Sequence, residues 1–231
     1  MKLGYSVGYW KQGPPPGALK AIRTAERLGF DSVWTAEAYG SDALTPLAWW
    51  GSRTSRITLG TGIAQLSARS PTAAAMAAIT LDHLSGGRMI LGLGASGPQV
   101  VEGWYGQPYP KPLARTREYI DIVRQVFARE EPVTSDGPRY ALPYRGPDGT
   151  GLGKPLKSTV HPLRRDIPIY LAASGPKNTA LAAEIADGWL PFLLSRRGLD
   201  EARTNLEAGF AERSPLLRPR DKFEVALQIP V

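Results

Sequence analysis

The chain has 231 residues, 42% of them hydrophobic, and it carries a formal charge of +7 at neutral pH. It contains no cysteine, which excludes disulfide bonds, thiolate metal sites and a cysteine nucleophile. No apolar run approaches the roughly 20 residues that a membrane-spanning helix needs, and the amino terminus lacks the features of a cleaved signal peptide. The sequence therefore predicts a cytoplasmic protein without a membrane partner.

The positive charge is dispersed along the chain. Basic residues cluster only in short pairs such as Arg164-Arg165 and Arg196-Arg197, and no nucleic-acid-binding motif is present. A basic balance can attract a small polyanion or simply form a solvated surface. We expect no nucleic-acid partner, and both of the other interpretations stay open.

Short apolar runs bounded by Gly, Ser or Pro alternate with helical patterns from the first residue onward. The predicted strands span residues 3–9, 32–36, 57–62, 88–93, 167–172, 188–193 and 224–230. The predicted helices span residues 16–29, 71–85, 114–128, 176–186 and 199–212. Strands with consecutive apolar positions suit a parallel sheet buried on both faces. This βα alternation favours a (β/α)8 barrel of the TIM type, as one domain over residues 1–231, rather than an open sheet.

Two features interrupt the alternation. Residues 130–166 are rich in Pro and Gly, and a loop of that length predicts a functional insertion before strand five, with a small hairpin possible inside it. The last predicted strand is not followed by an eighth βα unit. An unclosed barrel exposes strand edges, so we expect either that the chain is part of a longer protein or that a partner chain covers the gap.

Three segments resemble a known family. They are VWTAEAYGSDALTPLAWW at residues 33–50, residues 57–106 with LSARSP, LDHLSGGR and GASGPQVVEGWYG, and IPIYLAASGPKNTALAAEIADGWLP at residues 167–191. They are similar to the luciferase-like monooxygenase superfamily and, within it, to the actinobacterial coenzyme F420-dependent oxidoreductases. The resemblance implies a (β/α)8 barrel that forms a homodimer. It also implies that a flavin or deazaflavin lies across the carboxyl ends of the strands.

The ends of strands two and three carry the first cofactor candidates. The resemblance implies that Glu37 meets the deazaflavin ring, and the alternative is a salt bridge with a neighbouring arginine. The related sugar-phosphate dehydrogenases carry a catalytic histidine at the next position, which is Ala38 here, so their chemistry is not carried over. The resemblance also implies a cis peptide between Gly62 and Ile63, forming with Ala64 a bulge behind the ring. The alternative there is an ordinary glycine bend.

The end of strand four carries a G-x-G-x-x-G sequence at residues 92–97. An NAD-binding Rossmann turn needs a helix at the third glycine and an acidic residue about 20 positions later, at the end of the next strand. The sequence predicts a loop soon after this motif, and Glu118 falls within a predicted helix, so the Rossmann interpretation is rejected. Gly94, Ala95 and Ser96 instead predict a surface small enough for a flat ring to approach the backbone.

A loop after strand five has the features of an anion site. Free N–H groups and the dipole at a helix amino terminus favour a phosphate, and a serine and a lysine can add a hydrogen bond and a charge. In the resembling family the cofactor phosphate sits at this loop. The residues concerned are Ser174, Gly175, Pro176, Lys177 and Asn178. The alternative is a simple capped turn.

Aromatic residues near the first two strand ends predict a substrate pocket formed by Tyr9, Trp10 and Tyr39, although those near strand one could equally pack on the insertion. His83 fits a structural role at a helix end, and His161, within the insertion, could help to close the pocket. Neither histidine has metal-ligand spacing, so no metal site is predicted.

The leading prediction is an F420-dependent oxidoreductase that transfers a hydride between the deazaflavin and a small organic substrate. No catalytic acid or base is assigned. The first alternative is an FMN-dependent monooxygenase of the same fold. The second is a truncated, non-catalytic flavin-binding protein.

Overall fold

The structure, a computed structural model, describes residues 1–229. Its strands are β1 (Gly4–Gly8), β2 (Ser32–Thr35), β3 (Thr58–Thr61), β4 (Ala64–Gln65), β5 (Met89–Gly94), β6 (Ile169–Ala172), β7 (Gly188–Leu190) and β8 (Glu224–Val225). Its helices are α1 (Ala18–Arg27), α2 (Leu44–Gly51), α3 (Pro71–Ser85), α4 (Pro98–Gly103), α5 (Pro112–Ala128), α6 (Pro176–Ile185) and α7 (Gly198–Ala211). A short 3-10 turn precedes β8. The last residue of the predicted strand 224–230 lies outside the described residues.

All the strand pairs are parallel, as the sequence predicts. The sheet runs in the order β1-β2-β3-β5-β6-β7-β8, with β4 pairing β5 beyond the end of β3. The two outer strands lie close together, because Lys2 contacts Glu224 and Gln228 donates a hydrogen bond of 3.4 Å to Ser6. The sheet is therefore curved as in a barrel. That the chain lacks a last βα unit stays a prediction.

The inside of the curved sheet is filled by two large aromatic side chains. The rings of Trp34 on β2 and Tyr170 on β6 lie 5.9 Å apart between centroids. Glycines on the neighbouring strands make room for them: a Cβ at Gly60 would overlap the indole of Trp34, and a Cβ at Gly188 would lie 2.7 Å from the ring of Tyr170. Interior filling by side chains makes a barrel a packed core rather than a pore.

The helices cover the outside of the sheet, and their ends follow ordinary capping chemistry. Ser70 accepts a hydrogen bond of 3.3 Å from the N–H of Ala73 at the start of α3, and Gly86 ends that helix in the left-handed conformation. The sequence analysis did not predict α2. Its signal is Asp42, which accepts from the N–H groups of Leu44 and Thr45 at 2.9 and 2.8 Å and so caps the helix.

The segment between α5 and β6 contains little regular structure. Within it, Ser135 and Leu142 exchange two hydrogen bonds of 3.0 and 2.8 Å, which is the small hairpin that the sequence suggested. Its last part runs to the amino ends of the strands, where the carbonyl of His161 contacts Nε2 of His83 at 2.8 Å. Both histidines therefore lie at the end of the sheet opposite to the strand ends that carry the predicted site, so a pocket-closing role for His161 is not supported.

Two further features of residues 1–229 bear on function. No helix among them is long and apolar enough to cross a membrane. They contain no group of three or more His, Asp or Glu side chains arranged to hold a metal ion.

Candidate functional site

The carboxyl ends of the strands meet at one edge of the curved sheet. Gly94 at the end of β5 is paired with Gln65 of β4 on one side and with Ala172 of β6 on the other. This register brings the bulge after β3, the small residues after β5 and the loop after β6 side by side. In parallel barrels the active site is built at this end of the strands.

The bulge after β3 contains a cis peptide bond between Gly62 and Ile63, as the resemblance implied. The backbone around it is anchored to the preceding strand. The N–H of Gly62 donates to the carbonyl of Thr35 at 2.6 Å, and the carbonyl of Ile63 accepts from the N–H of Glu37 at 3.1 Å. The bulge is therefore fixed from the β2 side before any ligand contacts it.

The glycines in the second half of β5 allow close packing rather than nucleotide binding. A Cβ at Gly94 would lie 2.7 Å from Cδ1 of Ile63, so the missing side chain makes room for the residue of the bulge. A Cβ at Gly92 would overlap the carbonyl oxygen of Thr61, whose hydroxyl donates to the carbonyl of Gly92 at 2.8 Å. Both glycines are thus needed where β5 passes the end of β3.

The structure corrects one step of the argument against a Rossmann turn. A helix, α4, does begin directly after Gly97, although it is only six residues long. The rejection stands on other grounds, because β5 lies in the middle of a barrel-type sheet and Glu118 lies within α5. The sequence analysis missed α4 because only five residues separate Gly97 from the predicted loop that begins at Gly103.

Glu37 is buried and forms the salt bridge that was the alternative to ring contact. Its Oε1 accepts from Nη1 of Arg69 at 2.6 Å and from the N–H of Gln65 at 2.7 Å. Its Oε2 accepts from Nη2 of Arg69 and from the N–H of Ala43, both at 3.0 Å. Burial alone would lower the pKa of Arg69, but these hydrogen bonds and the charge of Glu37 raise it. Direct contact of Glu37 with a cofactor stays a prediction.

A buried amide connects the bulge to the small residues after β5. The Nε2 of Gln65 lies 3.3 Å from both the carbonyl of Glu37 and the hydroxyl of Ser96. Ser96 has a positive φ of 57°, and its carbonyl accepts a hydrogen bond of 2.8 Å from Tyr109. Among the described residues, Oε1 of Gln65 and Oγ of Ser67 are buried and find no partner. Buried polar atoms are normally satisfied, so these two atoms mark a place where a ligand or water belongs.

The loop after β6 has the geometry expected of an anion site, with one difference. Gly175 is the residue before α6 and has a positive φ of 78°, and no side chain caps the helix. Ser174 therefore does not act as the cap that the sequence suggested, although its carbonyl accepts a hydrogen bond from Asn178. Pro176 has no N–H, and Lys177 is exposed at the first turn. The first N–H groups of a helix have no partner inside it and remain available to an anion.

The predicted substrate-pocket aromatics separate into two places. Tyr9 and Tyr39 lie at the mouth with ring centroids 6.3 Å apart. Trp10 instead packs against Trp50 of α2, again at 6.3 Å, and its backbone N–H donates to the hydroxyl of Ser41 at 3.0 Å. The structure therefore brings Tyr9 and Tyr39 together and places Trp10 largely in the core behind them.

Sequence reasoning missed several residues that build this edge. Tyr105 donates a hydrogen bond of 3.0 Å to the carbonyl of Ala38, and burial together with the charge of Glu37 raises the pKa of its hydroxyl. Arg69 and Gln65 had no local motif to reveal them. The one available signal was that the LSARSP sequence places an arginine just before a helix that begins at this edge.

Comparisons with known proteins agree with this arrangement. A family model described as luciferase-like monooxygenase matches residues 5–231. A protein of Mycobacterium tuberculosis, provisionally named a coenzyme F420-dependent oxidoreductase, is 65% identical over 225 residues, which are 97% of this chain and 65% of that protein. The 5,10-methylenetetrahydromethanopterin reductase of Archaeoglobus fulgidus is 34% identical over 205 residues, which are 88% of this chain and 56% of that enzyme.

A solved structure gives the same result. The coenzyme F420-dependent tetrahydromethanopterin reductase of Methanopyrus kandleri superposes with a TM-score of 0.80 at 26% identity, over 98% of this chain and 65% of that one. This chain thus spans less than two thirds of the length of each of these three proteins. Sequence and fold nevertheless agree over nearly all of it, and the chain belongs to the luciferase-like monooxygenase family.

Proposed function

We propose that the protein is an F420-dependent oxidoreductase, transferring a hydride between the deazaflavin and a small organic substrate. The observation that carries the proposal is the bulge of Gly62, Ile63 and Ala64 at the carboxyl ends of the strands, where Ile63 packs on Gly94 and Oε1 of Gln65 is buried without a partner. The small residues Ala95 and Ser96, which follow Gly94, leave the backbone there open to a flat ring. The relatives named for F420 support the choice of cofactor.

The residues present fit such a group. Gly62, Ile63 and Ala64 would support one side of the ring, and Ala95 with Ser96 would border it. The unpaired buried Oε1 of Gln65 lies between these two segments. The cofactor supplies the hydride chemistry, whereas the protein orients it and excludes water.

The cofactor phosphate would bind at the start of α6, one βα unit after the ring. The N–H groups of Gly175, Lys177 and Asn178 and the charge of Lys177 are the expected contacts. The phenols of Tyr9 and Tyr39, exposed at the mouth, would border the substrate.

Titration of the purified protein with F420 and, separately, with FMN tests the proposal. We expect saturable F420 binding, and turnover of reduced or oxidised F420 with at least one small carbonyl or alcohol substrate. Clear preference for FMN, with oxygen consumption when reduced FMN is supplied, would replace the proposal by the monooxygenase alternative that the name of the family model suggests. Binding of either cofactor without any turnover would favour the non-catalytic alternative.

We also propose that the protein acts as a homodimer in the cytoplasm. Helices α2 and α3 contact each other and carry the exposed apolar side chains of Trp49 and Met76, and we place the contact between the protomers on these two helices. Sedimentation equilibrium of the wild type and of a Trp49→Lys variant tests this. A monomeric wild type would contradict it.

A further inference from the structure

We propose that Glu37 and Arg69 are positioning residues, which fix the cis bulge and its neighbouring loops, and that the carboxylate of Glu37 does not touch the cofactor. The inference rests on the proposed function for the identity of the ligand. It assigns to Glu37 the opposite role from the ring contact that the family resemblance implies.

The hydrogen bonds of the Glu37 carboxylate are complete without a ligand. A carboxylate has about four acceptor positions. Glu37 fills four of them with protein donors, two from Arg69 and one each from the N–H groups of Ala43 and Gln65. Its side chain is 3% exposed, so no oxygen faces an open site. A ring contact would require one of these bonds to break.

The four donors come from three different segments of the edge. Ala43 ends the loop that leads into α2, Gln65 directly follows the bulge, and Arg69 precedes α3. The main chain of Glu37 adds two more contacts, because its N–H donates to Ile63 and its carbonyl lies 3.3 Å from Nε2 of Gln65. Glu37 therefore holds the carboxyl-terminal side of the bulge, and its amino-terminal side is held by Thr35.

Arginine suits this position better than lysine. Its planar fork meets both carboxylate oxygens at once, at 2.6 and 3.0 Å, whereas an ammonium group acts as a point charge. Burying an ion pair is expensive, and such pairs are retained in some proteins because they specify one geometry. Here the geometry specified is that of the bulge on which the ring would lie.

A second ion pair provides a matched control. Arg164 binds Asp82 through Nε and Nη2, at 3.0 and 2.6 Å to Oδ1, with side-chain exposures of 27% and 0%. The pair of Arg69 and Glu37 has exposures of 21% and 3%. The two pairs are alike in chemistry and burial, but the control pair lies at the amino ends of the strands, where Asp82 accepts from the first N–H of β5.

The experiment compares Arg69→Lys with Arg164→Lys in three measurements: the F420 dissociation constant, the melting temperature, and amide hydrogen exchange in the free protein. Loss of one charge-assisted hydrogen bond corresponds to roughly a tenfold change in an equilibrium constant. We expect Arg69→Lys to raise the F420 dissociation constant by about that factor and to speed exchange at Ala43 and Gln65. We expect Arg164→Lys to lower the melting temperature about as much as Arg69→Lys does. It should leave the F420 dissociation constant and the exchange at Ala43 and Gln65 unchanged.

Glu37→Gln separates positioning from direct contact. If Glu37 is a positioning residue, the Glu37→Gln variant should exchange the amide hydrogens of Ala43 and Gln65 faster than the wild type in the absence of any cofactor. It should also bind F420 more weakly. Weaker binding with unchanged exchange would overturn the inference in favour of ring contact, and so would equal effects of the two arginine variants on F420 affinity. If the wild type binds no F420, the proposed function fails, but exchange in the free variants still tests the positioning role. Glu37→Asp replaces Glu37→Gln if the latter does not fold.

Discussion

The two ends of the sheet use the same interaction for different purposes. At the amino ends, Asp82 binds Arg164 and the N–H of Met89, so it joins α3 to β5 and to the segment that precedes β6. At the carboxyl ends, Glu37 binds Arg69 and two N–H groups beside the cis bulge. A buried arginine–carboxylate pair therefore does not indicate function by itself. What indicates function is the backbone that the pair holds in place.

One of the sequence motifs most specific for the family lies at the opposite end of the sheet from the candidate site. The LDHLSGGR sequence is among the most specific features of the resemblance, yet Asp82 in it stabilises the end of the sheet remote from the candidate site. Its glycines end α3, with Gly86 and Gly87 both at positive φ. Specificity of a motif for a fold is thus separate from participation in a reaction.

The largest effect is expected from Gly92→Ala, which lies between the two ends. Its Cβ would overlap the carbonyl of Thr61, and backbone cannot move as a flexible side chain can. Overpacking costs about 1–3 kcal/mol and occasionally more, and we expect the upper end here. Gly94→Ala meets only the tip of Ile63 and should cost less stability while weakening F420 binding. Chemical denaturation and cofactor titration of both variants check this, and equal stabilities would contradict it.

Asp82→Asn should give the next largest effect, confined to stability. Breaking a buried ion pair by removing one charge costs about 3–5 kcal/mol when the remaining charge stays buried. Because Arg164 is 27% exposed, water can solvate it in part, so we place the loss at about 2–3 kcal/mol. Urea denaturation measures the loss. A change of more than a few-fold in F420 affinity, measured where the variant is fully folded, would contradict this and would show that the two ends of the sheet are coupled.

Lys177→Ala should affect only the carboxyl-end anion site. An exposed ion pair is worth about 0.2–1 kcal/mol, which predicts a loss of F420 affinity of up to roughly fivefold that shrinks at high salt. Lys177 is exposed, so the melting temperature should not change. Lys20→Ala on α1 is the control, because it removes an equally exposed charge remote from the phosphate loop. Equal losses of F420 affinity in the two variants would contradict this, because they would show that the overall charge of the protein, and not Lys177 itself, attracts the cofactor.

The smallest expected effect is on the pH dependence of stability, through Glu26 near the amino ends of the strands. Burial alone would raise the pKa of Glu26, but hydrogen bonds from the N–H groups of Ile57, Arg56 and Ser55 and the charge of Arg88 lower it below 4.5. A lowered folded-state pKa gives stability that is present above pH 4.5 and lost as the pH falls through the folded value. Melting temperatures of the wild type and Glu26→Gln should therefore converge at acid pH. A constant difference between pH 3 and 7 would contradict this.

Local patterns predicted the repeating elements of the fold because each strand and long helix carries its own apolar periodicity and boundary residues. Ser70-Pro71 and Gly86 mark both ends of α3 in the sequence and in the structure. The apolar periodicity did not predict α2, because this short helix has a proline at its third position and two adjacent tryptophans. The cap made by Asp42 was therefore not recognised. The pattern also failed at β4, because two residues that follow a cis peptide have no periodicity to detect.

The sequence predicted which strand ends meet at the edge that carries the candidate site, but not the contacts that support this edge. Parallel strands place their carboxyl ends together, which located Gly62, Gly94 and the loop after β6 correctly along one edge. The partner of Glu37 is 32 residues away and that of Gln65 is 31, and such pairings depend on the three-dimensional packing of loops. The same reason explains why Trp10 turned out to pack on Trp50.

Hydrogen exchange of the wild-type protein with and without F420 shows at which end of the barrel the cofactor binds. We expect slower exchange with F420 in three places at the carboxyl ends: residues 62–66, 94–97 and 174–178. We expect no change at residues 82–89, around the control pair. Protection centred on residues 82–89, or spread evenly over both ends, would contradict the assignment of cofactor binding to one end of the barrel.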